Sequence, residues 1–317
     1  MTTVSEHKEL EKKFELFFME HGYLKLDPVG ITSGIDKTVY LVNSATNLFK
    51  SYFSGRNVCV FVIQPSMRTQ NLNDYYREEY ESEYPTCFES YGVYVSTEHI
   101  KKLISDTIAF FVSIGFEIPR MRVRASFEDS VLLEAIESST LKNMITMDKR
   151  TEKYDHVYGL GITGRAIKLD YYQEWQMKHK NLCYFIIIYV DGVPKGAELA
   201  TSDQLILMRL KNQKYAISVA KVAELLPVGT FEQRRFADSI VGAANMIFEG
   251  IRPNSSNTNG RTLKKYIKAI SYFGDMLDIP LTERSTIIER YIHLCFATKV
   301  DREVITRYLS QLNISRK

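Results

Sequence analysis

The sequence is short of the residues that build metal centres and disulfide frameworks. Its four cysteines, Cys59, Cys87, Cys183 and Cys295, are scattered without a CxxC pair, and its six histidines show no ligand spacing. Neither a zinc site nor a disulfide scaffold is expected, and a reducing cytoplasm is the expected home. No apolar run approaches the roughly 20 residues needed to span a bilayer. The opening, MTTVSEHKELEKKF, is polar and charged, unlike a signal peptide. No membrane partner is expected. Internal repeats and low-complexity tails are missing, which argues against solenoids and disordered arms. Charge of one sign is lacking too: the net charge is only +3, so the whole chain is no electrostatic magnet, and no DNA partner is expected.

What is present fits a globular protein. A length of 317 residues suggests two domains, and 45% hydrophobic with 25% charged residues is ordinary composition. Charge is uneven along the chain. Residues 251–317 hold 12 Lys and Arg against 6 Asp and Glu, leaving residues 1–250 net negative. A basic C-terminal third could face phosphate, and a solvated helical surface accounts for it equally well.

The stretch around which the rest is organised is 59–95, CVFVIQPSMRTQNLNDYYREEYESEYPTCFESYGVYV. Cys59–Ile63 is a β-branched apolar run and Phe88–Val95 alternates with many aromatics, so both read as strands. Arg68 lies just past the first strand, where a guanidinium can clamp a phosphate through two parallel hydrogen bonds. Phe88 could stack a nucleobase, and Glu89 could accept from an exocyclic amine. An ordinary hairpin with a solvated loop is the bland alternative. That loop, Asn71–Pro85, carries Asp74, Glu78, Glu79, Glu81 and Glu83 against Arg77, a net of −4 that would repel phosphate.

Elsewhere, 4–22 reads as an amphipathic helix stopped by Gly22, and 38–42 as a strand. Residues 43–53 read as a short helix, 97–114 as a helix, 120–125 as a strand and 130–142 as a helix. Gly159, Gly161 and Gly164 permit close approach to a ligand, but their spacing is not that of a dinucleotide-binding turn. CYFIIIYV (183–190) followed by Asp-Gly reads as a strand entering a hairpin, with a second strand at 197–199 and a helix after it. From Phe231 the period is helical to the end. Arg261, Lys264, Lys265 and Lys268 share one helix face.

Three segments resemble, in order, class II aminoacyl-tRNA synthetases of the alanyl type. QPSMR, NLND and TCFES resemble the family's motif 2. FFMEHGYLKLDPVGI and TVYLVNSATNLFKSYFSG (17–55) resemble its opening helix, proline and Asn-Ala-Gly-Met-Asn-x-Phe-Lys segment. FADSIVGAANMIFEGIRPNSSNTNGRTLKKYIKAISYFG (236–274) resembles its Ala-Asp-His and Pro-Ser-Asn-x-Gly-Arg-Gly-Tyr region. The resemblance covers most of the chain and is weak between 120 and 230.

The resemblance implies an α+β fold. A class II-type antiparallel β-sheet flanked by helices would occupy 1–230, and a small all-α domain related to the family's tRNA-recognition region would follow at 231–317. It implies ATP as substrate with Mg2+, an amino acid activated to its adenylate, and transfer to an acceptor: a small amine, a carrier protein or a tRNA. Arg68 would be the catalytic and ATP-binding arginine, with Phe88 and Glu89 on adenine. Asn43, Trp175 and Glu198 would form the amino-acid pocket, Glu198 replacing an aspartate that holds the amino group. Arg261, Lys264, Lys265 and Lys268 would be possible RNA contacts. Two features depart from the pattern. A second motif 2 arginine is Pro65 here. The motif 3 arginine falls at about Leu205, with Arg209 one turn later. That leaves a second expectation, a paralogue without ATP chemistry that binds RNA or a regulatory partner.

Overall fold

The computed structural model describes residues 3–126, 130–149, 154–298 and 300–313. Helix α1 (Thr3–Glu20) buries His7, Leu10, Phe14 and Phe18 on one stripe, as their spacing requires. Gly22 ends it at φ +82°. Strand β1 (Leu24–Lys25) pairs in parallel with β2 (Cys59–Met67).

Between these strands the expected strand at 38–42 does not form. Side chains hold this segment instead of a neighbouring strand. The buried Asp36 accepts from Thr38 Oγ1 at 2.7 Å and Asn47 Nδ2 at 2.6 Å, and pairs with Lys50 at 2.7 Å. The short helix α2 (Thr46–Phe49) follows and runs into a single tight turn, Lys50–Tyr52.

Strand β2 pairs antiparallel with β3 (Cys87–Ser96), from Cys59 opposite Val95 to Met67 opposite Cys87. Then come α3 (Ile100–Ser113), β4 (Met121–Ala125), α4 (Ser130–Glu137) and β5 (Ile145–Met147). Strands β6 (Asp155–Gly159), β7 (Ile162–Gln173), β8 (Lys178–Val190) and β9 (Val193–Ser202) lead to α5 (Asp203–Leu210). Among the described residues the order is β1-β2-β3-β9-β8-β7-β4-β5, with β6 added on β7. Pairing is antiparallel except β1 with β2 and β4 with β5.

The sheet's two faces divide the molecule. Phe61, Tyr91, Val93, Leu199, Phe185, Ile187 and Val123 face α1, α3, α4 and α5 in one apolar core. Phe14 sits at its centre, 4.6 Å from the Tyr91 ring and fully buried. Burial of one such side chain contributes about 2–3 kcal/mol. The alternate residues, Val60, Val62, Tyr94, Ala166 and Ile186, face the other way, under Ala45, Leu48 and Phe49. Gly92 admits this cover: a Cβ there would lie 2.2 Å from that of Ala45. Among the described residues this second face is partly open beyond the reach of α2, where Tyr184, Lys168 and Arg124 are half-buried.

Four further helices complete the chain: α6 (Phe231–Phe248), α7 (Thr258–Met276), α8 (Leu281–Phe296) and α9 (Arg302–Asn313). Thr230 and Gln233 form a capping box at α6, and Asn257 caps α7 by accepting from Gly260 N at 2.7 Å. Asp278, in the left-handed region, breaks the chain before α8. The core of these helices also takes in Met67, Leu72, Tyr75 and Cys87 from the β2–β3 hairpin. No described helix is long and apolar enough to cross a membrane.

Candidate functional site

The open face of the sheet carries the polar groups. Register sets Gly92, Ala200, Tyr184, Lys168 and Arg124 side by side across β3, β9, β8, β7 and β4. The next row contains Tyr94, Glu198, Ile186 and Ala166. Arg68, one residue past β2, projects over this face. Its backbone N–H donates to Thr86 O at 2.8 Å, and its Nε donates to the Asn43 carbonyl at 3.3 Å. Its guanidinium lies over the Phe88 ring, 5.1 Å from the centroid. The side chain is exposed to solvent, and crowding by protein on its inner side lowers its pKa, offset by Tyr184, Tyr84, Tyr158 and Glu198. Among the described residues no carboxylate forms an ion pair with it.

Glu198 lies beneath α2, fully buried, with Thr46 Oγ1 2.8 Å from each carboxyl oxygen. Burial raises its pKa to about 8, partly offset by Thr46 and then Arg68. That shift favours the neutral acid, which suits a hydroxyl that donates to one oxygen and accepts from the other. Tyr158 lies near the same Thr46 hydroxyl. Tyr158 also stacks parallel to His156, and Gly164 leaves room beneath both rings.

Lys168 lies 5.2 Å from the Tyr154 ring and 5.4 Å from that of Tyr184. Arg124 is paired with Asp170. Lys168 and Arg68 both bring positive charge near His156. His156 registers this: burial lowers its pKa first, and Lys168 and Arg68 lower it further.

Arg68, Phe88, Asn43 and Glu198 thus share one face, Asn43 acting through its backbone carbonyl. Glu89 does not join them. It follows Phe88 in a strand, so it points to the opposite side. There it lies 4.0 Å from Lys221, its N–H donates to Asp203 Oδ1 at 3.1 Å, and burial raises its pKa to about 7. Trp175 is also elsewhere. It sits in the tight turn between β7 and β8, against Lys180 at 5.4 Å. Ile186, the register partner of Glu198, is eight residues along β8 from Lys178, or about 26 Å at 3.3 Å per residue.

The glycines at 159 and 161 make the β6–β7 turn rather than a ligand cradle, both with positive φ. Leu205 is buried in the helix-side core, and Ser202 caps α5 by accepting from Leu205 N at 3.2 Å. Arg209 is buried; its Nε donates to Asn181 O at 2.9 Å and its tip lies 3.7 Å from Glu83, beside Tyr84.

The β2–β3 loop is not a free acidic arm. Glu81 takes two hydrogen bonds from Arg234, both 2.7 Å, and Glu83 pairs with Lys180 at 2.6 Å. Asp74, Glu78 and Glu79 stay exposed, with Arg77 bonded among them. On α7, Arg261, Lys265 and Lys268 are exposed, and Lys265 reaches Asn73 at 3.3 Å. Lys264 and Arg261 are drawn back onto Ser255, at 2.8 and 3.2 Å.

Sequence reasoning missed Thr46, Tyr158, Tyr184 and Lys168. None carries a signal of its own in the sequence: β7 also holds Arg165 and Asp170, and the four meet only once the strands are in place.

No family model and no curated protein matches the chain. Solved structures similar to it include apo histidyl-tRNA synthetase from S. aureus, at 13% identity and a TM-score of 0.45 over 84% of this chain and 85% of that one. Asparaginyl-tRNA synthetase from Pyrococcus horikoshii is similar at 8% identity and a TM-score of 0.41, over 70% and 67%. The RNA binding domain of threonyl-tRNA synthetase from Cryptosporidium parvum Iowa II is similar at 10% identity and a TM-score of 0.42, over 66% of this chain and 64% of that one. Likenesses this distant do not bear on substrate or activity.

Proposed function

We propose that the chain activates an amino acid with ATP on the open sheet face, in the manner of class II aminoacyl-tRNA synthetases of the alanyl type. One observation carries this reading: Arg68 held over Phe88, beside a floor lined by Tyr184 and Lys168. An oxygen of the amino acid's carboxylate attacks the α-phosphorus in line. The bond to the bridging oxygen breaks, and pyrophosphate leaves with that electron pair. No side-chain nucleophile is needed, so catalysis is positioning and charge stabilisation. Arg68 meets the carboxylate and α-phosphate, and Phe88 supports adenine. Glu198 meets the substrate's ammonium only when Thr46 gives way, and the arriving cation then restores the carboxylate. Glu89 and Trp175, remote from this face, take no part.

Among the described residues, the carboxylates of this floor are already engaged, Glu198 by Thr46 and Asp170 by Arg124, which leaves magnesium no open one. No step is assigned to it; it would arrive with the triphosphate. The acyl acceptor would be a small amine, a carrier protein or a tRNA.

The test is amino-acid-dependent ATP–pyrophosphate exchange with alanine, glycine, serine and a wider panel. Exchange with any of them supports activation and names the substrate. A specific observation favours a second reading, a paralogue that binds RNA without ATP chemistry: apolar Leu205 and Pro65 stand where phosphate-handling arginines are expected, while Arg261, Lys265 and Lys268 line an exposed helix face. Lack of exchange across the panel, with no ATP-dependent thermal shift, would leave that reading standing.

A further inference from the structure

Arg68 lies on β2's exit, but its position is fixed from far along the chain. Its N–H donates to Thr86 O at 2.8 Å, just beyond the last register pair of the hairpin. Thr86 is itself held by Asp238 on α6. The Thr86 N–H donates to Asp238 Oδ1 at 2.7 Å, and the Thr86 hydroxyl donates to Oδ2 at 2.8 Å. The Tyr75 hydroxyl donates to the same Oδ2 at 2.8 Å, so both ends of the loop meet one carboxylate. Tyr266 on α7 reaches the Thr86 hydroxyl at 3.3 Å. Arg235 stacks over the Tyr75 ring at 4.7 Å and supplies nearby positive charge. Asp238 and Thr86 are buried, so these bonds lie out of competition with water.

We propose that Asp238 is a positioning residue for Arg68: through Thr86 it holds the mouth of the β2–β3 loop so that the Arg68 guanidinium stays over Phe88. The C-terminal helices therefore set the geometry of the open face without contributing a group to it. A core carboxylate that only stabilised the helices would bond within α6–α9. This one takes its three hydrogen bonds from the hairpin loop instead. The link to catalysis rests on the activation reading above; the link to Arg68 does not.

The experiment compares native protein with Thr86→Val, Thr86→Ser and Asp238→Asn by amide hydrogen exchange, with ATP–pyrophosphate exchange in parallel. Loss of a buried hydrogen bond to a carboxylate should speed local opening about tenfold or more. Thr86→Val and Asp238→Asn should quicken exchange at the Arg68 amide by that factor, while Ile186 and Leu199 in the central strands stay protected. Thr86→Ser, which keeps the hydroxyl, should behave as native. In parallel, the KM for ATP should rise in the first two variants and not in the serine variant. Unchanged Arg68 exchange in both variants, or equal quickening at Ile186 and Leu199, would overturn the proposal. If Asp238→Asn fails to fold, the valine and serine pair decides. If native protein shows no pyrophosphate exchange, the activation reading fails and the hydrogen-exchange result still decides the role of Asp238.

Discussion

Arg68 is well placed to be functional because its head group ties down little. The guanidinium meets the Phe88 ring and its Nε meets one carbonyl, so Arg68→Ala removes charge from the open face and little from the core. Pyrophosphate exchange should fall at least 100-fold in Arg68→Ala, about 3 kcal/mol of lost charge stabilisation, with a melting temperature near that of native protein. A matching collapse of the melting temperature would assign Arg68 a structural role. Glu198 makes the opposite prediction. Its pKa rises on folding from an ordinary 4.5 to about 8, so the folded chain keeps a proton that the unfolded chain has lost. Stability contributed at that site is present below the lower value and declines as pH rises toward the higher one. Glu198→Gln keeps the shape and cannot ionise. Urea melts at pH 5 and pH 8 should show the variant gaining on native protein by a few kcal/mol between them. A constant difference would mean that Glu198 is ionised in the folded state.

At the scale of elements, the loop between β2 and β3 is the least ordinary part, because ion pairs tie it down. Arg234, mostly buried, depends on Glu81 for its partner. Glu81→Ala leaves that guanidinium uncompensated, at a cost of about 3 kcal/mol. Limited chymotrypsin digestion should then cut near Tyr80 and Tyr84 faster than in native protein, and equal rates would show that the pair does not fasten the loop. Much of this level was legible in the sequence. Helices with a clear stripe, such as α1, and strands with β-branched runs, such as β2 and β8, could be read from periodicity alone. The segment 38–42 could not, because Asp36, Thr38, Asn47 and Lys50 hold it by side-chain bonds that leave no period. The site was half legible. Arg68 and Phe88 stood out in a hairpin with a recognisable order. Glu89 was drawn in by adjacency, although neighbours in a strand point apart, and Trp175 by a two-residue match whose distance along the strand the sequence did not convey. Tyr184 and Lys168 became visible only once β7 and β8 were in register.

For the whole molecule, charge is divided as the sequence suggested, with consequences for RNA. The exposed Arg261, Lys265 and Lys268 line one side of α7, close to the loop through Lys265 and Asn73. If RNA docks there, affinity for a short hairpin should fall steeply between 50 and 200 mM salt, as counterion release requires, and Lys265→Glu with Lys268→Glu should flatten the slope by about 2 in log–log terms. Anisotropy titrations at several salt concentrations measure this directly, and a slope unmoved by both reversals would place any RNA elsewhere. A different consequence follows from the carboxylate of Asp238, which lies 152 residues downstream of the threonine it holds. During synthesis at about 5–20 residues per second, the hairpin loop leaves the ribosome about 8–30 s before its anchor does. For that interval Tyr75, Met67 and Cys87 have no partner to cover them. The nascent chain is most exposed to misassembly midway through translation, and a stall or truncation upstream of α6 would release a sheet whose β2–β3 loop lacks Asp238 and Arg234 and keeps only its Glu83 end fastened, to Lys180.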